Sequence, residues 1–175
     1  MSKKIKKLYT TITYILLFCV VTIIGYSSYL SDEPISVIHS NNSHTPLNFA
    51  LNKTNDTISK MLIRERQNSC QVILKNGDTW FFAEPGDMIL WLKEKNIGKN
   101  IYQWVYTVDT NRWIEVHLAW YGIRDKTVMG YGFAAREKRS KDSISYEEMR
   151  RRMLHGETLL NPRIRKHLLE DLYEK

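Results

Sequence analysis

Methionine side chains are the main candidate metal ligands in the central part of this sequence. Three methionines are spread through it: Met61, Met88 and Met129. A thioether is a soft ligand, and soft ligands select soft cations such as Cu(I). Methionine also fills irregular gaps in hydrophobic cores, and Met88 recurs at helical spacing with Trp91 and Leu92. From the residues alone, both a soft-metal site and a set of core side chains stay open.

Two further side chains extend this set of candidate ligands. Cys70 is the one cysteine outside the N-terminal apolar run, which contains Cys19. A single cysteine makes no intramolecular disulfide, so Cys70 is either a buried apolar residue or a free thiol with a chemical task. His117 is a borderline ligand for transition metals. A lone histidine in an apolar strand is more often a hydrogen-bonded structural residue.

Patterns that would indicate an enzyme are missing from the sequence. It has no His-Glu-x-x-His motif, no phosphate-binding loop, no Ser-His-Asp order and no paired carboxylates on one predicted helix face. Thiol chemistry on a metal or organometal substrate would need a pair of cysteines, which the chain lacks outside its apolar run. We therefore expect a protein that is not an enzyme.

The positive charge of the chain is concentrated at its start. The formal net charge is +7, and four of the lysines lie within residues 1–7. Elsewhere, arginines and aromatic residues do not alternate as they do in a stacking platform for nucleic acids. Excess charge by itself is weak ground for nucleic-acid binding, so we expect none.

The lysines precede a run that predicts a membrane anchor. Residues 8–30 contain no charged side chain, and about 20 helical residues cover the ~30 Å hydrocarbon core of a bilayer. The positive-inside rule keeps residues 1–7 in the cytoplasm. It predicts a single-pass protein of the cell inner membrane with its C-terminal domain in the periplasm or outside. A cleaved signal peptide has the same basic start, but the length of the run and the lack of a clear cleavage site favour an uncleaved anchor.

Beyond the anchor, local patterns predict a flexible linker and then an α+β domain. Residues 31–57 are rich in Asn, Ser and Pro, as linkers are. Asn76-Gly77 lies between apolar runs and predicts a hairpin, and Pro85 opens a helix that ends near Gly98. Ser145 with Glu148 three residues later predicts the start of a second helix. The predicted strands are residues 61–63, 70–74, 80–82, 102–108, 113–116, 119–123 and 128–134.

These elements predict one α+β domain, residues 58–155, made of two similar strand-strand-helix-strand halves. Residues 156–175 follow as a C-terminal helix or tail. The pattern of the domain is carried by two groups of residues. The first group is Met61-Leu62-Ile63, Cys70-Gln71-Val72-Ile73, Asn76-Gly77, Phe81-Phe82, Gly86-Asp87-Met88 and Trp91-Leu92. The second is Trp104-Val105-Tyr106, Asp109, Trp113-Ile114, Ala119-Trp120-Tyr121 and Val128-Met129-Gly130-Tyr131-Gly132-Phe133-Ala134-Ala135.

With these residues the domain resembles the NosL family, the nitrous oxide reductase accessory proteins. The Met-Gly-x-Gly element at Met129 is the most specific part of the resemblance. It implies an extracytoplasmic, membrane-attached metallochaperone of α+β fold that binds Cu(I) and delivers it to a copper enzyme. Met61, Met88 and Met129 match positions where the family places methionines, so the resemblance implies them as ligands. Cys70 and His117 are weaker candidates.

One departure from the family pattern bears on the metal site. Many members carry a copper-binding cysteine two positions before the first methionine, where this chain has Ser59. A hydroxyl is a poor ligand for a soft cation. A second function therefore stays open, a metal-free, membrane-anchored interaction module on the same fold. Its partner would contact the aromatic surface or the basic C-terminal region.

Overall fold

A computed structural model describes residues 3–29, 33–98 and 100–170. The chain divides into two compact units, Met1–Glu33 and Pro34–Lys175. The first unit contains helix α1, Lys3–Tyr29. Its segment Ile5–Tyr26 is 22 residues long and apolar enough to cross a membrane, by length and composition. An apolar N-terminal helix of spanning length is thus confirmed, and a signal sequence would meet the same criterion.

The second unit is built on an antiparallel sheet of five strands in the order β1-β3-β2-β4-β5. A separate two-stranded sheet pairs β6 with β7. Three helices and one 3-10 turn are present in the described residues of this unit, which confirms the α+β class. The strands are β1 Val37–Ile38, β2 Cys70–Leu74, β3 Thr79–Phe82, β4 Ile101–Tyr106, β5 Trp113–Glu115, β6 Trp120–Tyr121 and β7 Ala135–Arg136. The helices are α2 Pro85–Lys95, α3 Tyr146–Leu154 and α4 Pro162–Glu170, and the 3-10 turn is Val116–Leu118.

The predicted hairpin forms between β2 and β3. Gly77 has a φ of +83°, a conformation that favours glycine, and its N–H donates to the carbonyl of Leu74 at 2.9 Å. Both predicted helices also begin as expected. Pro85 occupies the first turn of α2, and the hydroxyl of Ser145 accepts a hydrogen bond from the amide of Glu148 at 3.3 Å.

Hydrophobic side chains cover both faces of the sheet. Helices α2 and α3 pack over one face, where the main core includes Val72, Phe82, Val105 and Met149. The second core lies on the other face. It consists of Phe49, Ile63, Phe81 and Ala83, with five partly buried side chains against it. The alternation of Phe81 and Phe82 between these cores follows from the two-residue period of a strand.

Residues 34–57 do not form the flexible linker that their composition predicts. They belong to the folded unit, and β1 pairs with β3 as an edge strand of the sheet. Phe49 is buried in the second core. Gln71 on β2 holds the segment in place: its amide oxygen accepts from the N–H of Leu47 and its amide nitrogen donates to the Leu47 carbonyl, both at 2.8 Å. The polar residues serve as hydrogen-bonding groups and not as a solvated spacer.

The expected repeat of two similar halves is not confirmed. Residues 61–63 form only an isolated bridge, Asn55 to Leu62, and residues 128–134 form a loop instead of a strand. Gly130 and Gly132 in this loop have φ values of +79° and +95°, which a regular strand does not accommodate. The predicted C-terminal helix is present as α4, and residues 171–175 lie outside the described residues.

Candidate metal site

Two of the three candidate methionines lie outside the main core. Met61 is 54% exposed, and it follows Lys60, whose backbone has a φ of 60°. Met129 is partly buried and packs against the second core, to which Phe81 and Ile63 belong. The Met129 thioether thus belongs to the side of the sheet opposite α2 and α3, and the Met61 side chain is exposed to solvent.

Met88 and Cys70 are fully buried in the main core. The Cys70 thiol has a contact of 3.7 Å with the carbonyl of Asn68, to which it donates. Burial raises the pKa of this thiol well above its ordinary value, and the nearby carboxylates raise it further. Cys70 is therefore a protonated thiol in a packed core. Its position and that of Met88 favour structural roles.

His117 lies on the 3-10 turn and contacts helix α3. Its side chain is 54% exposed, and its Nδ1 is 3.0 Å from Oε1 of Glu147. Its ring also meets the ring of Tyr146 edge-on, with centroids 4.5 Å apart. These contacts are on the α3 side of the sheet, whereas Met129 packs on the other side.

Three buried carboxylic acids lie between the segments that carry Met61 and Met129. Glu84 is the residue before α2, Asp87 is in the first turn of α2, and Asp56 belongs to the segment misread as a linker. Their exposed fractions are 0% for Asp56 and Glu84 and 1% for Asp87. Such complete burial is rare for Asp and Glu side chains. This group of acids was not predicted from the sequence. The one local signal for it is the acidic Glu84-Pro85-Gly86-Asp87 helix start.

Hydrogen bonds connect the two methionine segments through these acids. The amide of Asp56 donates to the carbonyl of Met61 at 2.8 Å. The carboxylate of Asp56 accepts from the amide of Ala83 at 2.6 Å, and the next residue, Glu84, accepts from the amide of Met129 at 3.2 Å. The backbones of Met61 and Met129 are therefore tied to one buried cluster.

Two acids of this cluster, Glu84 and Asp87, are weak. Burial raises the pKa of Glu84 to about 7, against hydrogen bonds from Thr127 and the Met129 amide that lower it. Burial likewise raises the pKa of Asp87 to about 8, and the charge of Asp56 adds to the effect. The hydroxyl of Tyr131 donates to Oδ1 of Asp87 at 3.1 Å. Close to neutral pH, Glu84 and Asp87 are therefore protonated to a large extent.

The cluster does not have the form of a divalent metal site. In residues 3–29, 33–98 and 100–170, no group of three His, Cys, Asp or Glu side chains is placed to hold a metal ion. Protonated carboxylic acids are also poor ligands, because metal binding requires the deprotonated form. The side chains suited to a soft cation are the thioethers of Met61 and Met129.

Contacts on both sides fix the loop that carries Met129. A Cβ atom on Gly86 would lie 2.3 Å from the ring of Tyr131, so the start of α2 packs directly on the loop. On the other side, the amide of Leu159 donates to the carbonyl of Tyr131 at 3.0 Å. A Cβ on Gly132 would lie 2.7 Å from the Leu159 side chain. The position of Met129 thus depends on α2 and on residues near the C-terminus.

Comparison with known proteins adds no family assignment to this geometry. Neither the protein-family models nor the curated proteins include a match to the chain. The likeness to the NosL family therefore stands on the residues quoted above.

Proposed function

We propose that this protein is a membrane-tethered accessory protein that binds Cu(I) through Met61 and Met129 and delivers it to a copper enzyme outside the cytoplasm. The observation that carries the proposal is the hydrogen-bonded connection between the two methionine segments through Asp56, Ala83 and Glu84. It gives two residues that are 68 positions apart in sequence a common support.

The ligand set suits a carrier. Thioethers select Cu(I), and Met61 is an exposed residue at which the ion can enter and leave. Ser59 replaces the thiolate expected from the family pattern, and Cys70 is a buried thiol. A site without a thiolate holds copper less tightly, which favours transfer to a client.

The N-terminal helix supports the tethered part of the proposal. Segment Ile5–Tyr26 has spanning length, and the lysines that surround its start favour a cytoplasmic N-terminus. The domain would then face the periplasm or the outside, where the client copper enzyme is assembled.

Substitution of single sulfur atoms tests the copper site. Met61→Leu and Met129→Leu keep side-chain volume and typically cost under ~1.5 kcal/mol of stability, but each removes a ligand. The full chain in detergent should bind one Cu(I), and each variant should lose it in an anaerobic competition against a Cu(I) chelator. Met88→Leu is the matched control. It changes a buried methionine of the main core, so copper binding should persist.

Two results would reject the proposal. One is a parent protein that does not compete with the chelator, and the other is binding by Met61→Leu and Met129→Leu that equals that of the parent. The metal-free interaction module would then be the better function. Its proposed basic contact surface is partly neutralised, because Glu148 pairs with both Arg151 and Arg152 at 2.7–2.8 Å.

A further inference from the structure

A cavity on the α3 side of the sheet lies outside the methionine site. Its volume is about 540 Å³, within the range of small-molecule sites. The end of α2, strand β4, the 3-10 turn and helix α3 all contribute to its wall. Its apolar part is formed by Leu92, Ile97 and Ile101.

Gln103 places an amide in the wall of this cavity. It lies on β4 between Ile101 and Val105, on the face that packs beneath the helices. The hydroxyl of Tyr146 donates to the amide oxygen of Gln103 at 2.7 Å and so fixes the orientation of the amide. The amide nitrogen has no protein acceptor within the described ranges. Its two N–H donors are available to a ligand.

Arg150 brings a positive charge to the same cavity. It is four residues after Tyr146 on α3, so the two side chains share a helix face. Arg150 has no acidic partner among the residues that the structure describes. Glu147 also lines the cavity with a negative charge, and its Oε1 lies 3.0 Å from Nδ1 of His117.

We propose that this cavity binds a small organic carboxylate. The carboxylate group is received by the guanidinium of Arg150 and the amide of Gln103, and the apolar body lies on Leu92, Ile97 and Ile101. A guanidinium presents paired N–H donors that match the two oxygens of a carboxylate. The apolar wall favours an organic body over an inorganic anion. The binding site is independent of the copper proposal, because its apolar residues pack against the main core whereas Met129 packs against the second core.

Fluorine NMR of 4-fluorobenzoate provides the test, with the full chain in detergent and empty micelles as the blank. The protein should broaden and shift the fluorine signal in a saturable manner. The neutral analogue 4-fluorobenzyl alcohol should bind at least about tenfold more weakly, because it lacks the charged oxygens that pair with arginine. Equal binding of the alcohol, or no binding of the acid at millimolar concentration, overturns the proposal.

Two matched variants locate the binding. Arg150→Gln removes the charge at an exposed helix position and should weaken 4-fluorobenzoate binding at least about tenfold, since charge-assisted hydrogen bonds are the stronger class. Arg163→Gln makes the same charge change on α4, away from the cavity lining, and should bind like the parent. A parent-like affinity of Arg150→Gln, or an equal loss in both variants, contradicts the assigned site. Circular dichroism of both variants should match that of the parent and so show that they are folded.

Discussion

At the scale of single residues, the buried acids make stability depend on pH. Burial raises the pKa of Glu84 to about 7 and that of Asp87 to about 8. In the unfolded chain both ionise at about pH 4. The folded state therefore binds protons more tightly, so the free energy of unfolding should fall as pH rises from about 5 to 8. Denaturant unfolding at several pH values, followed by tryptophan fluorescence, measures this slope.

Amide substitutions identify the source of the slope. Glu84→Gln and Asp87→Asn keep a carbonyl acceptor for the Met129 amide and the Tyr131 hydroxyl, but neither side chain ionises. Each should flatten the pH dependence. Glu148→Gln is the control, since arginine hydrogen bonds lower the pKa of the half-buried Glu148 to about 2 and leave it ionised throughout this range. A slope that survives in the double variant of Glu84 and Asp87 would show that other groups titrate.

The burial of these acids could not be predicted from the sequence, for a physical reason. Burial of Asp56 is produced by its contact with the amide of Ala83, which lies 27 residues away. Nothing near Asp56 in the sequence encodes that contact, and its polar neighbours resemble a loop. The methionines were identifiable by residue type, but the difference between exposed Met61 and buried Met88 also depends on long-range packing.

At the scale of elements, the close approach of α2 to the Met129 loop predicts the effect of one added methyl group. In Gly86→Ala the new Cβ would lie 2.3 Å from the ring of Tyr131. The ring or the helix must shift, and overpacking of this kind typically costs about 1–3 kcal/mol. The denaturant midpoint should fall with an unchanged m-value.

Gly98 offers a matched control for Gly86. A Cβ at Gly98 meets no atom within 4 Å, so Gly98→Ala should change stability by no more than about 0.5 kcal/mol. If Gly86→Ala were as stable as the parent, the packing of Tyr131 against the helix start would be looser than the structure has it.

Elements with local signals were predicted from sequence, and elements defined by distant partners were not. The Asn76-Gly77 hairpin, the Pro85 helix start and the Ser145 cap each depend on a few neighbouring residues. The strand expected at residues 128–134 has apolar alternation but pairs with no strand among the residues that the structure describes, and its glycines adopt positive φ. Strand β1 is only two residues long and pairs with a strand about 40 residues later, which no local pattern reveals.

At the scale of the whole molecule, the prediction concerns the side of the membrane on which the C-terminal domain lies. A reporter enzyme that is active only outside the cytoplasm, fused after Lys175, should be active, because the N-terminal lysines are retained inside. The same fusion with a reporter active only in the cytoplasm should be silent. The reverse result would invert the topology. Intact-mass analysis should find the N-terminal helix present, and a mature start between Ser27 and Pro34 would identify a cleaved signal sequence.

Composition alone also predicted the wrong N-terminal boundary for the folded unit. The Asn- and Ser-rich residues before position 58 looked like spacer, yet Asn41 and Thr57 are buried and make side-chain hydrogen bonds. Polar residues support a fold when their hydrogen bonds are satisfied: the side-chain amide of Asn41 donates to the Thr45 carbonyl at 2.9 Å.

The strand order also determines which parts of the domain fold early and which fold late during synthesis. Strand β1 leaves the ribosome first, but its partner β3 is made about 40 residues later. The hairpin of β2 and β3 is local and closes within microseconds once both strands are free. Phe49 and its neighbours are therefore synthesised before the sheet that they cover has formed. The segment nearest the N-terminal helix is made early and folds late, and in that interval it is the part of the domain most open to a chaperone or a protease.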